Sequence, residues 1–235
     1  MDACRTNGFV FILAMSFLGS VSEAPLAAEP EVVSAETRTY DILVDGKNSG
    51  QSTLTITRYS DGSESVSADA KVTVSWTVFS YVYEFHGKEQ WRDGRFEQLE
   101  SRAVDGGKKL SLSAKRADGG FSITKAKGKP TSAADVQLTT NYWREPAAGA
   151  DARAITVLDA DNGKLYDEKI ERLGQQELTI AGQKVLANAY RLKGKLDVEL
   201  WFDTQGLLVR QVGKEDGHPT EVRLASVQQP SGKER

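Results

Sequence analysis

The chain has 235 residues, with 30 Lys and Arg against 33 Asp and Glu, so its formal net charge is −3. The basic residues are scattered, which excludes the continuous basic surface that nucleic acids and anionic membranes require. The single cysteine, Cys4, lies near the start, so the rest of the chain has no disulfide, thiolate metal site or thiol nucleophile. We therefore expect no cofactor, no metal and no nucleic-acid partner.

The first 28 residues have the pattern of a secretory signal peptide. Arg5 precedes an apolar run from Gly8 to Val21, and small residues follow that run. The run is shorter than a membrane-spanning helix needs. We expect cleavage after Ala28, no membrane span in the mature chain, and a location in the periplasm of a Gram-negative bacterium. The alternative is an uncleaved N-terminal anchor.

The rest of the chain predicts one β domain over residues 38–229, between flexible ends at 29–37 and 230–235. Alternating apolar segments are separated by turn-forming pairs at intervals of about 8–12 residues, a spacing typical of all-β domains. The clearest pairs are Asp45-Gly46, Asp61-Gly62, Asp93-Gly94, Asp105-Gly106, Asp118-Gly119, Asn162-Gly163, Ala181-Gly182, Gln205-Gly206 and Asp216-Gly217. We predict a curled antiparallel sheet that forms a closed or nearly closed barrel around an apolar interior, with a two-sheet sandwich as the alternative.

The strongest strand signal runs from Val72 to Phe96. Its apolar residues occupy even positions up to Val78 and odd positions from Phe79. A one-residue shift reverses the faces of a strand. The shift predicts a bend or bulge near 78–79, where two strands meet at a corner.

A single stretch favours helix, near residues 132–144. Ser132 can cap it, and Val136, Thr139 or Thr140 and Trp143 fall on one helical face. We predict a short helix or crossover that covers one end of the barrel.

Five residues of the strand after Ser80 form the densest polar and aromatic cluster. In a regular strand Tyr83, Glu89 and Trp91 share one face, and Glu84 and His86 share the other. Glu84 and His86 are a candidate acid–base pair, with an ordinary cross-strand hydrogen bond as the alternative.

Glu89 is the more informative carboxylate. If it points inward beside an indole, burial raises its pKa, which is typical of a functional site. The alternative is a salt bridge to Arg92 or Arg95.

Aromatic residues supply the candidate ligand contacts. We predict that Tyr83, Glu89, Trp91, Trp143 and Trp201 line a ligand-binding cavity, although tryptophans of this kind also serve as plain core. Catalytic signals are weak, because no G-x-S-x-G elbow occurs and the pattern around Asn162-Gly163 does not match a calcium loop.

Several short motifs together resemble a known family. They are the opening hairpin from Tyr40 to Gly46, Tyr81 to His86, Glu89 to Arg95, Thr140 to Trp143, Asp161 to Gly163, and Leu200 to Asp203. The set resembles the bacterial exported family catalogued as domain of unknown function 6134, from about Tyr40 to Leu224. The resemblance implies an exported all-β protein and no particular activity. The expected curled sheet after a signal peptide also looks like the carriers that move lipoproteins across the periplasm, a likeness of fold only.

Three functions follow from these features. The preferred one is a non-enzymatic periplasmic binding or carrier protein with an apolar cavity, which takes an apolar or lipid-like ligand. The second is an envelope scaffold or protein-interaction module with a solid core. The third is a hydrolase that uses Glu84, His86 and Glu89, with Glu84, Glu89 and Asp203 as the carboxylates that a glycosidase needs.

Overall fold

The computed structural model describes residues 29–75, 80–146 and 152–229, and these form strands and turns without a helix. Several predicted features lie outside the described residues: the signal peptide, the 230–235 end, Trp76 and the change of phase at 78–79. The strands are β1 Val32–Val44, β2 Lys47–Tyr59, β3 Ser63–Ser75, β4 Ser80–Arg92, β5 Arg95–Asp105, β6 Lys108–Ala117, β7 Gly120–Lys125, β8 Thr131–Ala133, β9 Leu138–Thr139, β10 Ala152–Leu158, β11 Leu165–Ile180, β12 Gln183–Lys193, β13 Val198–Phe202, β14 Leu208–Glu215 and β15 His218–Gln228.

All these strands belong to one continuous sheet. Consecutive strands pair antiparallel from β1 to β8 and from β10 to β15, β15 returns beside β1, and only β9 pairs parallel, with β10. The two ends of the sheet are β8 and β9, which do not pair with each other. The predicted antiparallel sheet is therefore confirmed, but closure is wrong, and one sheet replaces the two of a sandwich. Both edge strands are very short, which limits the unpaired backbone that an open sheet exposes.

The sheet curls so that one end lies against the inner face of the other. The turn between β10 and β11 packs on β4 and β5, where Ser101 Oγ donates to the carbonyl oxygen of Ala160 at 2.5 Å. The Tyr83 hydroxyl reaches the Asp161 carboxylate in the same turn at 2.8 Å. The inner face carries the main apolar core, whose fully buried side chains include Tyr40, Ile56, Phe96, Leu99, Phe121, Ile123, Leu138, Trp143, Leu158, Leu192, Leu200 and Phe202.

A second apolar core lies on the opposite face of β12 to β14. Trp201 packs there with Ile180, Ala187, Ala189 and Val209. Ile180 and Ala187 belong to the distal half of the β11–β12 hairpin, so this hairpin covers the outer face of the neighbouring strands.

The predicted helix near 132–144 is wrong. This part of the chain forms β8, which pairs with β7, then β9 and a turn. From residue 137 to residue 140 its backbone bonds to β10: Gln137 N donates to Thr156 O, and Thr140 N donates to Leu158 O, both at 3.0 Å. Val136 and Leu138 are both buried. Their spacing of two residues is the strand period, which the helical interpretation overlooked.

Two strand boundaries also differ from the expectation. Val32–Thr37 belongs to β1, with β2 on one side and, at its end, β15 on the other. β3 and β4 do not meet at a corner, because they pair antiparallel from Ser75 opposite Ser80 to Ser63 opposite Arg92. β3 and β4 are therefore neighbouring antiparallel strands of the sheet. No helix of the described residues is long and apolar enough to cross a membrane.

Candidate functional site

Glu89 lies on the inner face of β4, as the alternation of the strand predicts. Its cross-strand neighbours are Val66 on β3 and Leu99 on β5, and all three side chains are 0% exposed. An ionisable side chain so deep in an apolar core needs hydrogen-bond partners to offset its lost hydration.

Four neutral groups donate hydrogen bonds to the Glu89 carboxylate. Oε2 accepts from the indole N–H of Trp91 at 2.7 Å and from that of Trp143 at 3.1 Å. Oε1 accepts from the Thr139 hydroxyl and from the Asn141 side-chain amide, each at 2.6 Å. Three of the four donors come from the stretch that begins with β9, so the carboxylate fastens this stretch to the inner face.

Burial raises the pKa of Glu89, and the four hydrogen bonds oppose that shift because they favour the ionised form. Among the described residues, no Lys, Arg or His forms an ion pair with Glu89. Arg92 pairs instead with Asp61 at 3.1 Å. The salt bridge that we considered for Glu89 is therefore wrong.

A cation lies at the rim of this cluster. The Arg144 guanidinium is 5.0 Å from the ring of Trp143 and 5.4 Å from that of Trp91, and its Nη1 donates to Glu64 at 2.5 Å. The two indoles meet edge to face, with ring centres 5.6 Å apart. The arrangement combines an aromatic wall, a buried acceptor and a cation, all within one cluster.

The structure brings together three of the five candidate ligand contacts, namely Glu89, Trp91 and Trp143. Tyr83 instead donates to Asp161. Trp201 belongs to the second core on the opposite face, where its indole N–H donates to Gln176 at 2.9 Å.

Trp91 and Trp143 do not line an open hollow. They are 2% and 1% exposed, whereas a void that admits water would give its lining atoms accessible surface. In this conformation, the stretch that contains Trp143 occupies the space where we expected a ligand. The role of these residues in ligand binding therefore stays a prediction.

Glu84 and His86 lie on the outer face and belong to separate pairs. Glu84 pairs with Lys71 at 2.7 Å, and His86 Nδ1 lies 2.5 Å from Asp69. Because Glu89 points to the other face, the three residues proposed for a hydrolase do not converge. The alternative of ordinary cross-strand contacts describes Glu84 and His86 better.

A buried ionic group was missed by the sequence interpretation. Arg38 donates to Glu36 at 3.0 Å, to Asp203 at 2.8 Å and to the Leu208 carbonyl at 3.2 Å, and Tyr40 donates to the same carbonyl. Asp203 thus belongs to this network and not to a pair with Glu89. The alternation of β1 could have revealed this network, because Glu36, Arg38 and Tyr40 all occupy even positions, which face inward.

The turn after β10 holds a second group that the sequence interpretation missed. Burial, together with repulsion from Asp159, Asp105 and Glu215, raises the pKa of Asp161 to about 7 against the opposing effect of the Tyr83 hydrogen bond. Within the described residues, no set of three or more His, Asp or Glu side chains is placed to hold a metal ion.

A shallow polar cavity of about 590 Å³ lies on the outer face of β3 to β7. Side chains from two cross-strand rows line it, including Ser67, His86, Lys88, Arg102 and Ser113. This surface contains none of the aromatic residues that we expected at a ligand site.

The solved structures that match the chain include the following two. A β-barrel-like protein of domain of unknown function DUF1849 from Brucella abortus is 11% identical, with a TM-score of 0.62 over 83% of this chain and 98% of that one. A putative outer membrane lipoprotein-sorting protein domain from Vibrio parahaemolyticus is 10% identical over 86% of this chain and 88% of that one, with a TM-score of 0.24 that is too low to establish a common fold. The first likeness shows a shared fold alone.

No curated protein matches the chain. The family model described as Domain of unknown function (DUF6134) matches residues 40–225, most of the chain, and the motifs that suggested this family lie within that range. The chain therefore belongs to the DUF6134 family.

Proposed function

We propose that this protein is a non-enzymatic binding protein that carries an apolar ligand on the inner face of its curled sheet. The observation that carries the proposal is that a short part of the chain, which has only one strand of two residues, covers the aromatic inner face around Trp91. That part is residues 138–144, here called the cover segment.

The cover segment has few backbone connections to the sheet. It contributes the two residues of β9 and a single bridge between Arg144 and Leu207, whereas most of its neighbours are strands of five residues or more. The remaining attachment comes from side-chain bonds to Glu89 and Glu64 and from the buried side chains of Leu138, Tyr142 and Trp143. An apolar ligand that displaces the Trp143 side chain gains the same aromatic contacts. β9 is the end strand of the sheet and pairs with β10 on one side, so its displacement breaks one strand pair.

Native mass spectrometry of the protein purified from its own cells, together with lipid extraction, tests the proposal. We expect a fraction of the molecules to retain an apolar compound. A Trp143→Ala variant is expected to retain more, because its aromatic wall is uncovered. The proposal would be contradicted if neither the parent protein nor the variant retained an apolar compound and the variant bound no apolar fluorescent probe.

A scaffold or interaction role is the second candidate, and the tight packing of Glu89, Trp91 and Trp143 favours it. In this case the core stays closed and the outer polar cavity contacts another envelope protein. A photo-crosslinking residue at Ser113, inside the cavity, is then expected to capture a partner in cells, whereas the same residue at exposed Leu186 is not. No capture from either position would count against the second candidate.

We further propose export to the periplasm, on the basis of the N-terminal pattern described above. Fractionation of cells and mass measurement of the mature N-terminus test this proposal. The expected product begins at Glu29, and a cytoplasmic full-length chain would exclude it.

A further inference from the structure

We infer that the inner-face site takes a ligand with an apolar, preferably aromatic, body and an adjacent cationic group. This inference rests on the proposed function and specifies its ligand. It follows from the juxtaposition of Trp143 and Arg144, which are consecutive in sequence. The indole of Trp143 lies against Trp91 and Glu89. The guanidinium of Arg144 contacts Glu64.

The indole of Trp143 occupies the position of the ligand body. It packs edge to face on Trp91, whose ring centre is 5.5 Å from that of Phe96, and Phe96 stacks on Phe121 at 5.1 Å. These three rings belong to β4, β5 and β7 and not to the cover segment. When Trp143 leaves, an aromatic surface remains in which Trp91 is inclined at 61° to Phe96, and such a surface favours another aromatic group in edge-to-face contact.

Two carboxylates determine the charge of the ligand. Glu64 lies opposite Trp91 in the register of β3 and β4, and Val66, two residues later, lies opposite Glu89, so both carboxylates belong to the same part of the inner face. When Trp143 and Arg144 move away, Glu89 loses an N–H donor, and Glu64 loses its 2.5 Å contact with a guanidinium. Within the described part of the chain, Glu64 then keeps its ion pair with Arg58 at 3.2 Å.

A ligand with a carboxylate or phosphate would add a further negative charge beside these groups, where burial strengthens repulsion. A ligand with an amine or guanidinium replaces both lost interactions. Arg144 also indicates the spacing, because its guanidinium lies 5.0 Å from the Trp143 ring. The ligand's cation is therefore expected within a few bonds of its apolar body.

Tryptamine and indole-3-acetate are suitable probes, because they share the indole and carry opposite charges. We expect tryptamine to bind the Trp143→Ala variant at least about tenfold more tightly than indole-3-acetate, the scale of one charge-assisted hydrogen bond. Isothermal titration calorimetry at neutral pH measures both affinities. Arg144→Ala in the full chain serves as a second variant if Trp143→Ala does not fold, with the same preference expected.

Glu64→Gln in the same background is expected to reduce the preference for tryptamine, while Glu84→Gln on the outer face leaves it unchanged. Octylamine and a Trp-Arg dipeptide amide then test whether the natural ligand is a lipid-like amine or a peptide. Tight binding of either compound supports a cationic ligand. Equal affinity for the two indoles, or tighter binding of indole-3-acetate, would overturn the inference. An anionic lipid recovered by native mass spectrometry would overturn this inference while leaving the carrier proposal standing, whereas the absence of all apolar binding contradicts both.

Discussion

At the scale of single residues, the face of the strand determines what a carboxylate does. Glu84 and Glu89 lie on the same strand, yet Glu84 is solvated beside Lys71 and Glu89 is fully buried with four donors. Burial lowers the effective dielectric around Glu89, so each of its hydrogen bonds contributes more than an equivalent surface contact.

Replacement of Glu89 by Gln should destabilise the fold. The amide keeps the shape but turns an NH₂ group toward two of the donors, which leaves buried polar groups unpaired. We expect a loss of about 1–3 kcal/mol in the free energy of unfolding, measured by urea denaturation. Glu84→Gln is the matched control, with an expected change within about 0.5 kcal/mol. Equal effects of the two substitutions would show that the inner network does not stabilise the fold.

Asp161 should make stability depend on pH. Its pKa in the folded protein is about 7, against an ordinary value of 3.8, so the folded state holds a proton that the unfolded chain releases between these values. Stability is therefore highest at the acidic end of this window and falls as pH rises toward about 7. Asp161→Asn, which still accepts from Tyr83, should remove this part of the dependence. Melting temperatures from pH 4 to pH 8 measure it, and parallel curves for the two proteins would contradict the prediction.

At the scale of elements, the turn between β10 and β11 joins the two ends of the curled sheet. Gly163 in this turn has a φ of +66°, and a Cβ there would lie 2.5 Å from Leu112 Cδ1 and 3.2 Å from Ile123 Cγ2. The close approach of the turn to β6 and β7 thus requires a residue without a side chain.

Gly163→Ala should loosen this contact between the two ends. Gly182→Ala is the matched control, because Gly182 has a φ of +79° but no atom within 4 Å of a built Cβ. Both variants incur the positive-φ strain, and only the first also overpacks. We expect Gly163→Ala to lose about 1–3 kcal/mol more than the control in urea denaturation. An equal loss in both would mean that the turn is not tightly packed.

At the scale of the whole molecule, the chain runs as a meander whose first and last strands pair. Thr37 lies opposite Gln228, so the two ends of the domain are neighbours within the sheet. Among the strands of the described residues, neighbours in sequence are neighbours in the sheet except for β8 and β9.

A circular permutant should therefore fold. We join Gln228 to Val32 by a linker of about eight residues, enough to span the remaining length of β1, and open the chain at exposed Gly128. Every strand pair of the described residues is retained, so cooperative unfolding at nearly the parental urea midpoint is expected. A permutant opened at Asn188, inside the paired β12, is the control and should lose stability. Failure of only the Gly128 permutant would contradict this account of the topology.

The sequence by itself determined the local structure. Side chains in a strand alternate between faces, and turns need residues that tolerate positive φ, so the hairpins and the antiparallel all-β class could be predicted from patterns of a few residues. The same alternation placed Glu89 and Trp91 on one face of β4, and Glu84 and His86 on the other. The same alternation also places Glu36 and Arg38 on the inner face of β1. Their inner position was not predicted, because charged side chains are expected on the outer face.

Only the tertiary structure decided where the sheet opens and what fills it. No local pattern shows that residues 138–144 lie across β4, because the Thr139, Asn141 and Trp143 bonds to Glu89 join positions about fifty residues apart. The pairing of Leu138 and Thr139 with β10 depends on contacts between distant parts of the chain. Trp201 alternates with Leu200 and Phe202 along β13, so it faces away from the inner core. Only the tertiary structure shows that the β11–β12 hairpin buries Trp201 on that opposite face.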